Sequence, residues 1–320
     1  MLRKNFLIYK ILSLFSAFSL LLCLVGCNGD KISDENNYYS FTDALGRTVN
    51  IKEKPQRVAA LTGSFADIWL LAGGKICATA EDAFEDFGIS SEGVISLGGA
   101  HSPSFEMLLS SEADLVLASA SSASNVKMQT AIENAGIIVA YFDVDCFEEY
   151  LYMLNVCTDI TGEKELYNTN GLALKDKINN IKNEYKNTDI RDDEKTVLML
   201  RVSSSSVKAK GSEGTVLGEM LSDMGCINIA DNDKSLLEKL SMESILEKNP
   251  YHIFIVLMGD DTEKAIENAK KLLKENKGYE NLDAVKNGRV HLMDKKLFNL
   301  KPNGKWDKSY EILKEELMGK

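Results

Sequence analysis

From Arg57 onward the chain alternates short β-branched apolar runs with stretches whose apolar positions recur every three to four residues. RVAALT, KICATA, ADLVLAS and GIIVAYFDV have the composition of buried strands, while FADIWLLAG, SFEMLLSSE and NVKMQTAIENAG between them have helical spacing. The same grammar returns in the second half, with TVLMLRV, HIFIVLM and RVHLMD as strands and TVLGEMLSDMG, MESILEKN, DTEKAIENAKKLLKEN and WDKSYEILKEELM as helices. Parallel neighbours need a crossover, so this alternation predicts α/β layers with largely parallel central sheets.

One internal match supports two equivalent halves. SFEMLLSSEADLVLA from Ser104 and SMESILEKNPYHIFI from Ser241 share a Ser, a Glu two residues later, two aliphatics and then a strand. Between the halves, Leu166, Leu172, Leu174, Ile178, Ile181 and Tyr185 space an amphipathic surface helix that runs to about Lys186. The expected organisation is an N-terminal lobe over 41–145, a helical connector over 146–190 and a C-terminal lobe over 191–320. With 44% apolar residues, a chain of this length supports two cores.

Residues 1–27 stand apart. Arg3, Lys4 and Lys10 lead into ILSLFSAFSLLLCLVGC, whose apolar stretch from about Ile11 to Val25 is interrupted by Ser13, Ser16 and Ser19. That is short of the ~20 residues that span a bilayer comfortably, and reads as a cleaved signal. Leu24 to Cys27, LVGC, resembles the lipobox of bacterial lipoproteins, which implies lipidation of Cys27 and tethering to the outer face of a membrane. Residues 28–40 are polar and read as a flexible stalk. Loss of the signal leaves 34 basic against 48 acidic residues, a net charge of −14 that repels nucleic acid and anionic headgroups. Cys77, Cys146, Cys157 and Cys226 show neither CxxC spacing nor a partnering His and read as small core residues.

FTDALGRTVNIKEKPQRVAAL, SPSFEMLLSSEADLVLAS, AGIIVAYFD and SMESILEKNPYHIFIV, in that order between residues 41 and about 318, resemble class III substrate-binding proteins of ABC importers. The resemblance implies two Rossmann-like lobes joined by one long α-helix, with a ferric siderophore, haem or cobalamin held between them as cargo. It further implies a monomer that needs no cofactor, performs no catalysis, and delivers its cargo to an ABC permease and its ATPase. In relatives of this kind one glutamate on each lobe docks on the permease, and Glu106 and Glu243 occupy the matching positions. A carboxylate in the first helical turn also stabilises the helix dipole, so the two roles can coexist.

Ligands of parallel sheets bind beyond the carboxyl ends of the strands, and those ends supply the candidate lining. In the first lobe they are Thr62, Gly63, Ser64 and Phe65, where a helix start offers amides, then Glu81 and Asp82, His101 and Ser102, Ser119, and Tyr141 with Asp143. In the second they are Arg201, Met258, Phe298, Lys301, Asn303 and Trp306. Arg201 suits a carboxylate or catecholate oxygen, or an interlobe ion pair. Glu81 and Asp82 are ligand groups or solvated carboxylates, and Trp69 reads as core. Phe298, Lys301, Asn303 and Trp306 belong to LFNLKPNGKW, an aromatic and basic turn that enters the last helix; Phe298, Lys301 and Asn303 are expected to face the ligand, and Trp306 either packs in the core or floors the cleft.

Other chemistries fit less well. LAGGK lacks the spacing of a phosphate loop, GSFAD is not GxSxG, and DNDKSLLEKL lacks the Gly and final Glu of a calcium loop. His101, His252 and His291 are too few and too scattered for a multi-His metal site. The alternative class is a surface enzyme or metal-cluster protein on a similar two-lobe scaffold, but no cysteine lies in the candidate cleft loops.

Overall fold

The computed structural model describes residues 37–259, 261–275 and 278–319. The signal, Cys27 and residues 28–36 of the stalk lie outside the described residues. Twelve strands occur among those described: β1 Tyr39–Thr42, β2 Thr48–Ile51, β3 Val58–Ala60, β4 Ile76–Thr79, β5 Ile95–Ser96, β6 Leu115–Ser119, β7 Ile138–Phe142, β8 Thr196–Val202, β9 Val207–Lys210, β10 Ile227–Asn228, β11 His252–Leu257 and β12 Val290–Met293.

The first lobe is a parallel sheet in the order β5-β4-β3-β6-β7. The second is β10-β8-β11-β12, also parallel, with β9 turned back antiparallel against the carboxyl half of β8. β3, β6 and β11 are buried along their whole length, which is why their sequences show unbroken apolar runs in place of alternation. The matched segments are built alike: Ser104 accepts from the Met107 amide at 3.3 Å and Ser241 from the Ser244 amide at 3.3 Å, each capping a helix that feeds a central strand.

The β1–β2 hairpin was not anticipated. Asp43 shapes its turn, accepting from the Leu45 and Arg47 amides at 3.1 and 3.0 Å, and Phe41 stacks on Phe142 at 5.7 Å. The expected stalk boundary at residue 40 is therefore corrected: Tyr38 donates to the Ile160 carbonyl at 2.9 Å and Tyr39 to Asp159 at 3.1 Å, so the fold begins by Tyr38.

The connector starts with a helix, Phe147–Thr161, that packs on the first lobe and stops at Gly162 in the left-handed conformation, φ 83°. Helical structure resumes at Lys164–Tyr167, passes through a π-turn at Asn168–Leu172 and ends with Ala173–Lys186. Leu174, Ile178, Ile181 and Tyr185 form the buried face expected of it, against the final helix Trp306–Met318, whereas Leu172, expected on the same face, lies in the π-turn and is exposed. One apolar cluster runs from Phe65 and Phe142 through Phe147, Tyr150 and Leu154 to Met199, Phe254 and Trp306. The two lobes thus share a core through the connector. Trp306 is fully buried, which at ~25 cal/mol per Å² contributes on the order of several kcal/mol.

Candidate functional site

The start of the helix Gly63–Leu71 is a close-packed junction. The Gly63 amide donates to both carboxylate oxygens of Asp82, at 3.0 and 3.0 Å, and a Cβ on Gly63 would lie 2.4 Å from the Ala83 nitrogen. The expectation of an open amide at Gly63 and of a ligand-facing Asp82 is corrected accordingly, because each satisfies the other. Burial pushes the Asp82 carboxyl up, and the Gly63 amide offsets part of that shift. Ser64 is buried, and its carbonyl accepts from Asn303. Phe65 is core, edge-on to Phe142 at 6.3 Å. Glu81, His101 and Ser102 are exposed and Thr62 is half-buried, so these four remain accessible.

At the ends of β6 and β7 the Ser119 and Ser121 hydroxyls lie 2.9 Å apart, and Asp143 is half-buried with its Oδ1 unpartnered. Burial raises the Asp143 carboxyl; Ser121 and Lys301 lower it, while Asp145 and Glu149 raise it further. Tyr141 does not reach this group. Its ring is fully buried under the Arg47 guanidinium, 4.9 Å away, and its hydroxyl donates to the Asn125 carbonyl at 2.9 Å. Residue alternation sends its side chain to the back of the sheet, so its assignment to the cleft is withdrawn.

In the second lobe Arg201 is half-buried and its Nε has no partner. Met258, just beyond β11, is 40% exposed. Lys301 forms an ion pair with Asp145 of the first lobe. Phe298, Asn303 and Trp306, by contrast, are all buried. Trp306 packs against Phe147 at 5.9 Å and Tyr150 at 6.4 Å, and Asn303 holds the first lobe through Ser64 and Asp67. The assignments of Phe298 and Asn303 to the ligand are corrected, and Trp306 takes the core alternative: LFNLKPNGKW is chiefly an interlobe clasp.

A cavity of about 810 Å³ opens where Glu85 and Asp86 of the first lobe face Leu257, Gly259, Met293 and Asp294 of the second. Sequence reasoning missed Asp145 and Asp86, although each lies only a few residues beyond a strand end or beside a named residue. It also missed Lys208 and Lys210 on β9, whose sequence VKAK gives only a weak strand signal. Among the described residues no three His, Cys, Asp or Glu side chains converge in a way that could hold a metal ion.

The model of the family described as periplasmic binding protein matches residues 58–297, which spans both lobes. YhfQ of Bacillus subtilis (strain 168), whose name describes it as an ABC transporter substrate-binding lipoprotein, is 23% identical over 314 residues, 93% of each chain. Staphylococcus aureus SirA, complexed with staphyloferrin B, shares the fold with a TM-score of 0.69 and 22% identity over 88% of this chain and 98% of that one. S. aureus IsdE, complexed with heme, has a TM-score of 0.67 and 17% identity over 82% and 98% of the respective chains. Two parallel-sheet lobes with facing carboxyl ends, and a family match across both of them, make this chain a member of the periplasmic binding protein family.

Proposed function

We propose that this chain is the extracytoplasmic solute receptor of an ABC importer, capturing an iron chelate or tetrapyrrole between its lobes and handing it to the permease. The observation that carries this reading is the family match over both lobes. The strand ends support it, because polar atoms there, Asp143 Oδ1 and Arg201 Nε, are buried without protein partners. Staphyloferrin B and heme are bound by neighbours of the same fold, which motivates the ligand class. Anchoring through Cys27 follows from LVGC behind a basic and apolar leader, and agrees with the lipoprotein name of YhfQ. Glu106 and Glu243 are exposed in the first turns of matched helices, where a permease could reach both.

A binding role also suits the chemistry. His252 and His291 are buried against each other at 2.9 Å, and neither is placed to activate the cleft serines. Native mass spectrometry and calorimetry on the chain from Asn28, with ferric siderophores, haemin, cobalamin and free metal ions, test the reading. At least one is expected to bind below about micromolar; failure of the whole set refutes it. Intrinsic fluorescence is a poor reporter here, because Trp69 and Trp306 are both core residues.

A further inference from the structure

β8 and β9 carry three cations on one face. Arg201 sits directly opposite Lys208, and Met199 opposite Lys210. Cross-strand partners share a face, as do residues two apart, so Arg201, Lys208 and Lys210 project together. Like charges placed opposite each other destabilise a strand pair, and the one acid that acts on Arg201 here, Asp145, offsets this one only in part. Among the described residues none of the three forms an ion pair, and Arg201 Nε is buried without an acceptor. The acid that acts on Arg201 is Asp145, already engaged by Lys301. Nearby Glu149 is committed to the Asp145 and Cys146 amides, and Glu219 to the Gly214 amide. Burial, Arg201 and Lys208 together lower the Lys210 ammonium.

We infer that this face is an anion site, and that the cargo is a ferric chelate bearing several carboxylate oxygens. The inference rests on the receptor reading above and narrows it. In an acidic chain, three clustered cations at a strand end favour an anionic partner, which the ligand supplies on binding. Withdrawal of Phe65, Tyr141, Phe298 and Trp306 into the core removes the aromatic platform those rings would have offered a porphyrin. Charged oxygens therefore dominate recognition over flat apolar area.

Calorimetry on the mature chain with ferric citrate, a neutral ferric trihydroxamate, cobalamin and haemin tests this. Ferric citrate is expected to bind at least about tenfold more tightly than the other three, and to weaken as salt is raised. Arg201→Gln with Lys210→Gln is expected to cost about 100-fold in that affinity, roughly tenfold for each charge-assisted contact. The same variant should unfold at an equal or higher urea midpoint, since it removes like-charge repulsion, which a merely structural role would not predict. If the double variant folds poorly, Lys208→Gln, at an exposed position, is expected to weaken ferric citrate severalfold. Preference for the neutral chelate, cobalamin or haemin, or an unchanged ferric citrate affinity in the variants, overturns the anion site and leaves the receptor reading intact. Binding of none of the four, nor of any other ferric siderophore or metal ion, overturns both.

Discussion

Asn303 of the second lobe and Asp67 of the first are joined by a half-buried hydrogen bond, Nδ2 to Oδ2 at 2.8 Å, and the same nitrogen donates through a buried bond to the Ser64 carbonyl at 2.9 Å. Asn303 is fully buried and holds φ 51°, a conformation that asparagine tolerates better than most side chains. The Lys301–Asp145 pair and a 2.8 Å bond from Lys296 Nζ to the Asp86 carbonyl extend the clasp. With the shared core of the connector, it ties the lobes at a second place and limits how far they can swing.

Asn303→Ala removes both bonds and leaves Asp67, whose carboxyl burial already pushes up, with Lys305 as its remaining compensation. A loss of about 2 kcal/mol is expected from urea unfolding. Asn303→Gly, which keeps the backbone conformation but not the amide, should recover only the part due to φ. Equal stability of the alanine variant and the parent would show that the Asn303 contacts contribute nothing.

Much of this architecture was legible in the chain, for identifiable reasons. Val58–Ala60, Leu115–Ser119 and His252–Leu257 are buried on both faces, so their apolar runs stand out, and Ser104 and Ser241 mark helix starts by their own side chains. Tyr39–Thr42 and Val207–Lys210 are short edge elements held by tertiary pairing, and short polar edges leave little pattern. At the site, Tyr141 and Phe298 stand near strand ends, yet one side-chain direction separates cleft from core. Asn303 looked like a ligand group because its partner Asp67 lies more than two hundred residues away.

Gly63→Ala is expected to be costly. The added methyl would sit 2.4 Å from the Ala83 nitrogen and 2.6 Å from its Cα, backbone atoms that cannot rotate away. The helix start must shift and loosen both Asp82 contacts. We expect about 2–3 kcal/mol less stability, and weaker ligand binding through displacement of Thr62. A crystal structure of the variant with the Gly63–Asp82 contact intact would contradict this account.

Acid should weaken the fold through His252. Burial first, then the neighbouring His291 and Arg289, lowers it to about 3 from an ordinary value of 6.5. The folded value lies below the unfolded one, so this contribution is present above about pH 6.5 and is lost as pH falls toward 3. His291, in contact with Glu316 at 2.5 Å, is also lowered, mainly by burial. Asp67, Asp82 and Asp143 are raised and act in the opposite sense, favouring the folded chain in acid and losing that advantage as pH rises through their folded values. His252→Gln isolates the histidine. Its stability relative to the parent should improve by about 2–3 kcal/mol between pH 7 and pH 4 in urea titrations, and parallel curves would rule the histidine out.

Glu106→Gln combined with Glu243→Gln separates delivery from capture. Both carboxylates are exposed and neither lines the cavity, so ligand affinity should not move. Each substitution removes a favourable helix-dipole interaction of about 0.3–1 kcal/mol, too little to unfold the chain. If the two glutamates dock on the permease, transport in cells carrying only the double variant should fall at least about tenfold, since each lost carboxylate leaves a cationic partner unpaired at the interface. The single variants should fall less. Transport at the parent rate, with the variant present at equal level on the membrane, would remove these residues from the interface and direct attention to the exposed Met107 and Leu109 on the same helix.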